Sequence, residues 1–110
     1  MANPWAGEVA LVVDGERRVA KLTLGALAEL EAGLAQGTLI DLVERFEAGR
    51  HGAGDIVALV VAGLRGGGWE GRAEDLLTAE IEGGLVEASR VAAALLVRAF
   101  ARPEDPGARG

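Results

Sequence analysis

GLRGGGWEG, residues 63–71, admits two readings that lead to different folds. Its core, Gly66-Gly67-Gly68-Trp69-Glu70-Gly71, fits the pattern G-x-G-x-x-G. In a dinucleotide-binding unit such a turn follows a strand, opens a helix and is joined by a second strand carrying an acid. The preceding IVALVVAGL could be a buried parallel strand by composition. Its apolar residues at 56, 59, 60 and 64, with small Ala58, Ala62 and Gly63 between them, fit a buried helix equally well. The segment C-terminal to the loop decides between them. Nothing after residue 72 reads as a strand, so no parallel sheet can be completed. Glu70 would set a carboxylate among phosphates, and no Gly-Lys-Ser/Thr occurs anywhere. The glycines are therefore expected to make a loop between helices. Trp69 becomes an apolar peg onto the domain or onto a partner.

Working outward toward the N-terminus, GEVALVVDGERRVAKLTL reads as a β-hairpin turning at Asp14-Gly15. A two-residue loop would pair Val13 with Glu16 and set Leu11 toward Arg18. A four-residue loop, Asp14 to Arg17, sets Leu11 opposite Ala20 and Val9 opposite Leu22. The second register gives one apolar face on both strands and is the expected one. An isolated hairpin is marginal in water, so it must pack on the helices after it or on a neighbour.

The apolar period changes from 2 to about 3.6 near Thr23. Thr23 can cap a helix with the stripe Leu24, Leu27, Leu30 and Leu34, ending at Gly37. Thr38 caps the next, with Asp41 at the capping-box position, a face of Leu39, Leu42, Val43 and Phe46, and a stop at Gly49. GRHGAG, residues 49–54, is a loop, and Asp55 is the expected cap of the apolar segment after it. A short helix over 73–82 breaks at Gly83-Gly84, and a last one runs over 85–102 until Pro103 stops it. The fold class is thus α+β: an N-terminal antiparallel hairpin followed by a bundle of four to five helices. Residues 1–102 form one domain, and the polar PEDPGARG, 103–110, is expected to be a disordered tail.

Composition removes several functions. There is no cysteine among the 110 residues, so disulfides, thiolate catalysis and Cys-type zinc sites are out. A net charge of −6 without a basic stripe argues against nucleic acid. The apolar runs at 56–64 and 91–97 are too short to span a bilayer, and MANPWAGE has no signal-peptide pattern. The only histidine, His51, has Asp55 as its sole nearby acid and reads as a solvated loop residue. The only serine, Ser89, has no neighbouring base in sequence. The helix acids, among them Asp41 and Glu44 beside Arg45, read as solvated faces with ordinary helix pairs. No catalytic residues, no metal site and no cofactor are expected.

One feature exceeds the expectation for a plain bundle. IVALVVAGL and VAAALLVRAF are each apolar nearly all round. A compact core could enclose both, or part of their surface could meet another chain, by self-association included.

The sequence resembles a known family. In that family the start reads N-x-x-x-G-E-x-x-L, then D-G, then a leucine-rich segment ending in Glu. Here those positions are Asn3, Gly7, Glu8, Leu11, Asp14, Gly15, Leu24, Leu27, Glu29 and Glu31. DIVALVVAGLRGGG and LLVRAF fit as well, so the resemblance covers nearly the whole chain up to Pro103. The family comes from gene transfer agents and related tailed phages, and is described as tail assembly chaperones, although its name sometimes says tail tube protein. The resemblance implies a non-enzymatic helper acting in the bacterial cytoplasm. The tape measure protein is its expected client, and the tail tube protein a second candidate partner. It supplies no catalytic or ligand residues. The expected contact residues are Trp69, Leu95, Leu96 and Phe100, with core burial as the alternative for Leu95 and Leu96. The competing class is a structural virion component, such as a tail-tube or connector subunit; a single hairpin is little sheet for such a subunit.

Overall fold

The computed structural model describes residues 7–34 and 37–100. The expected tail over 103–110, and the last two residues of the final helix as read from the sequence, lie outside the described residues. Two strands, β1 (Glu8–Val13) and β2 (Glu16–Lys21), precede five helices: α1 (Leu24–Ala32), α2 (Leu39–Glu47), α3 (Ala53–Gly66), α4 (Ala73–Leu77) and α5 (Gly84–Phe100). This is the α+β architecture expected from the change of period.

The hairpin departs from the expected register. Val13 pairs with Glu16, Leu11 with Arg18 and Val9 with Ala20, so the loop is two residues long. Asp14 and Gly15 both have positive φ, 51° and 80°, the backbone of a type I′ turn that matches strand twist. The four-residue loop would match apolar residues across the hairpin, but the structure has no need of that match. The buried side chains Val9, Leu11, Val13 and Ala20 meet the helices, and β2 contributes mainly backbone.

α3 lies at the centre, packed against β2, α1, α4 and α5. Leu59, Val60 and Leu64 are fully buried, and Ile56 and Ala62 nearly so. Its glycines set how closely it meets the hairpin. A Cβ at Gly63 would fall 2.6 Å from Leu95 Cδ1 and 3.1 Å from Ala20 Cβ. At Gly66 it would overlap the carbonyl oxygen of Lys21, and at Gly67 that of Val19. A Cβ at Gly71 would overlap the Trp69 indole. These glycines are sites of close approach, the one reason for glycine that sequence spacing does not reveal.

The helix starts follow their caps. Thr23 Oγ1 accepts the Ala26 N–H at 3.1 Å. Thr38 and Asp41 form a reciprocal box, with Thr38 N–H donating to Asp41 Oδ2 at 2.8 Å and Asp41 N–H to Thr38 Oγ1 at 3.3 Å. Asp55 is not itself the cap: α3 begins two residues earlier, and Asp55 reaches back to accept the Gly52 N–H at 3.0 Å. In α1 only Leu30 of the expected leucine stripe is buried; Leu24 is 85% exposed, and Ala26 takes an inner place. The fourth helix is shorter than the periodicity suggests. Residues 80–82 leave it and run beside β1, with Asp14 N–H donating to Glu80 O at 2.8 Å and Glu82 N–H to Val12 O at 3.0 Å. Arg98 donates to Glu8 O at 2.9 Å on the same strand. The outer edge of β1 is thus partly occupied, which narrows the room for pairing with another chain there.

Two substitutions of opposite sign check this packing. Gly67→Ala sets a methyl against the Val19 carbonyl and is expected to lower stability by about 1–3 kcal/mol. Gly54→Ala, in the first turn of α3 with open space around it, should raise stability by about 0.5–1 kcal/mol. Urea unfolding of the two variants reads both.

Candidate partner-binding surface

α2 is amphipathic and only Leu42 on it is fully buried. Three ties hold it. Leu42 enters the core, Glu31 Oε2 accepts the Leu39 N–H at 3.1 Å, and Arg45 bridges to α3. Arg45 Nη2 donates to Asp55 Oδ1 at 3.0 Å and its Nε to Asp55 Oδ2 at 3.3 Å. Arg45 therefore bonds across the fold to Asp55, not to Asp41 or Glu44 as helix spacing suggests. The Arg45 hydrogen bond holds the Asp55 carboxyl below its usual range. Burial opposes this, while the Gly52 N–H and the charges of Arg45 and His51 add to it.

Between α2 and α5 lies an open groove of about 450 Å³. α2 contributes Val43, Phe46 and Glu47, and α5 contributes Leu96, Val97 and Phe100. Small Ser89 and Ala93 leave its α5 wall low. At 100° per residue, Leu96, Ser89, Phe100, Ala93, Val86 and Val97 form one unbroken arc of α5. Its outer part is exposed: Val86 82%, Val97 67% and Phe100 43%. The opposite arc, with Ala88, Val91, Ala92 and Leu95, is core. The two near-uniformly apolar segments thus divide. α3 is enclosed, while α5 keeps one apolar face at the surface.

His51 is not a solvated loop residue. Its ring stacks on Phe46, with centroids 3.9 Å apart and planes 9° from parallel, and Nδ1 is buried without a hydrogen-bond partner among the described residues. It backs the Phe46 ring at one end of the groove. Ser89 lines the same groove, yet no hydrogen bond joins it to His51, so no nucleophile–base pair forms.

The expected contact residues separate. Phe100 stands on the groove. Leu96 lines it but is 5% exposed, and Leu95 is 1% exposed against Gly63. Leu95 is a core side chain, because it fills the space that Gly63 leaves. Trp69 is elsewhere, half-buried in a polar cleft of about 450 Å³ beside Thr23, Glu29, Arg65 and Glu70. Val97 and Val86, which sequence reasoning does not single out, are more exposed than any of these. Their helical phase relative to Phe100 is the signal that could have found them.

The Trp69 cleft contains the glycine loop, and its polarity suits no phosphate. The loop ends α3, where the helix dipole is negative. Its N–H groups are spent on that helix: Gly67 donates to Gly63 and Leu64 carbonyls, Gly68 to Arg65, and Trp69 to Leu64 at 2.9 Å. Arg65 is likewise engaged, by Glu29 at 3.0 Å and the Gly71 carbonyl at 3.0 Å. Among the described residues no cluster of three or more metal-ligating side chains occurs. No helix there is long and apolar enough to cross a membrane.

Over residues 6–102 the chain matches the family model described as "Phage tail tube protein, GTA-gp10". The protein belongs to this phage tail assembly chaperone family. The family is non-enzymatic. Comparison with curated proteins and with solved structures gave no match. The matched span takes in the hairpin, all five helices and both walls of the groove.

Two measurements separate the structural and surface roles here. Leu95→Ala should cost about 3 kcal/mol of stability, while Phe100→Ala should cost about 1 kcal/mol or less, since the side chain is half in solvent; thermal unfolding of both variants compares them. Asp55 has its folded pKa depressed, so its contribution is complete above its unfolded pKa of about 3.9. That contribution is lost as pH falls through the lower folded value. Asp55→Asn should therefore flatten part of the acid-side fall in the urea midpoint between roughly pH 5 and 2. Glu87, lowered in the same way by Arg90, supplies a remaining slope.

Proposed function

We propose that this protein binds the tape measure protein in the host cytoplasm and keeps it soluble until the tail assembles, with the tail tube protein as a second assembly partner. The exposed apolar arc of α5 facing α2 across the groove carries this reading. An unassembled tape measure presents long apolar helices that need cover. A binding partner must supply apolar surface and enough like charge to hold the complex in solution. The net charge of −6 serves the second need. Trp69 and Phe100 are the proposed contact residues, with Leu96 at the base of the groove. Affinity comes chiefly from apolar burial, at roughly 25 cal/mol per Å² before association costs.

The family description favours a second reading, a tail-tube subunit of the particle. Against it stands the architecture: one two-stranded sheet among the described residues, with the outer edge of β1 partly occupied.

Co-expression of the tape measure protein with and without this protein tests the proposal. More soluble client and a recoverable complex, little weakened by salt, are expected. Sedimentation of that complex counts the copies and so reads self-association, for which Leu85, exposed at a second apolar hollow, and the exposed Leu24 and Leu77 are further apolar surface. Equal solubility without the protein, no complex at low salt, and an abundant band in purified particles by mass spectrometry would replace the chaperone reading with the tube reading.

A further inference from the structure

The two walls of the α2–α5 groove differ in charge, and the difference points to the chemistry of the occupant. On α2, Phe46, Val43, Glu47, Ile40 and Glu44 follow one another around the helix at 100° per residue. The groove face of α2 therefore passes from aromatic, through Glu47, to an exposed rim of Ile40 and Glu44. Neither Glu44 nor Glu47 has a cationic partner among the described residues, because Arg45 is committed to Asp55. The α5 wall is apolar to its outer edge, where Arg90 is neutralised by Glu87 at 2.7 Å. The groove thus joins an apolar wall to an apolar wall with an acidic rim.

We propose that the groove receives one amphipathic helix of a partner, with an apolar face at i, i+3, i+4 and i+7 spacing and Lys or Arg along the flank that meets Glu44 and Glu47. This deepens the chaperone reading and rests on it for the partner's source. The apolar face lies over Val97, Ala93 and Phe100, and a large anchor side chain enters above Ala93 and Ser89, where the α5 wall is low. The basic flank neutralises the α2 rim, so charge sets the direction and side on which the helix lies. α5 is 17 residues long, so a helix of about 18 residues, near 27 Å, can run its length.

Two other occupants fit less well. A second copy placed face to face would bring Glu44 and Glu47 of both chains to the same groove, like charge on like. The segment ARPEDPGARG, residues 101–110, carries no large apolar side chain to fill it.

The probes are two synthetic amphipathic peptides of about 18 residues with the same leucine and phenylalanine face, one flanked by Lys and Arg and one by Glu. Each is titrated against the full chain by calorimetry. Wild type should bind the basic-flanked peptide about tenfold more tightly than the acidic one. Val97→Glu, at an exposed position that leaves the fold intact by circular dichroism, should weaken the basic peptide by about tenfold or more. The double variant Glu44→Lys/Glu47→Lys should reverse the preference. Equal binding of the two peptides, or binding unaffected by Val97→Glu, overturns the proposal. So does a dimer in sedimentation that Val97→Glu abolishes while peptides do not bind, which gives the groove to a second copy. A rise of about tenfold in peptide affinity on removing residues 103–110 would give it to the tail. The tape measure protein is assayed in parallel. If it binds Val97→Glu as well as wild type, the groove assignment fails and the chaperone reading stands; if it binds neither while the basic peptide does, the reverse holds.

Discussion

The close approach of α3 to β2 is the constraint on which the rest of the structure depends. At Gly66 and Gly67 the end of the helix meets the Lys21 and Val19 carbonyls, and at Gly63 its surface admits Ala20 and Leu95. A methyl at any of these points would push helix and hairpin apart. Because α3 is central, that shift would reach α1, α4 and α5 together. Interiors this closely packed do not stretch to absorb it. The same approach lets β1 bury its apolar side chains against helices, so β2 can carry Arg18 and Glu16 opposite Leu11 and Val13. The hairpin is then less a sheet than a pad on which α3 and α5 rest.

The position of α5 has the functional consequence. Its inner arc is consumed by contact with α3 and β1, and Leu95 occupies the space at Gly63. The outer arc therefore faces away from the core. α2 does not cover that arc, because it is drawn toward α3 by Arg45 and Asp55 and toward α1 by Glu31 and Leu39. The result is a groove whose width depends on a polar tie some distance from its apolar walls. His51 against Phe46 supports the α2 wall from the loop after that helix. An acid-sensitive ion pair and an exposed apolar surface are thereby coupled through one short helix.

Much of this was legible along the chain. The turn at Asp14-Gly15, the caps at Thr23 and Thr38, the stop near Gly49 and the change of period all depend on neighbours within a few residues, whereas the fourth helix ends at Leu77 rather than at Gly83-Gly84. The less legible features are those in which distant segments choose between local options. Strand register was one, since the helices rather than β2 supplied the apolar partner for β1. The strand-like pairing of 80–82 was another, because three residues beside β1 carry no periodic signal. Arg45 had acids at helix spacing but took Asp55 ten positions on. His51 looked solitary because its partner is a ring, and ring stacking leaves no mark in charge or spacing.

The sequence by itself determined an α+β chain with one hairpin and several capped helices, without thiols and with a family signature over residues 6–102. Each of these comes from local geometry, composition or pattern, which do not require knowing what touches what. Only the tertiary structure decided what the glycine run is for and which apolar face stays outside. GLRGGGWEG reads as a loop from the sequence alone, but the need for its glycines shows only where backbone carbonyls are found in the space that side chains would fill. Leu95 and Val97 are two residues apart on one helix and equally apolar, yet one fills the core and the other faces solvent. Burial is a property of the neighbours that long-range packing brings, and an apolar segment is compatible with either side until those neighbours are in place.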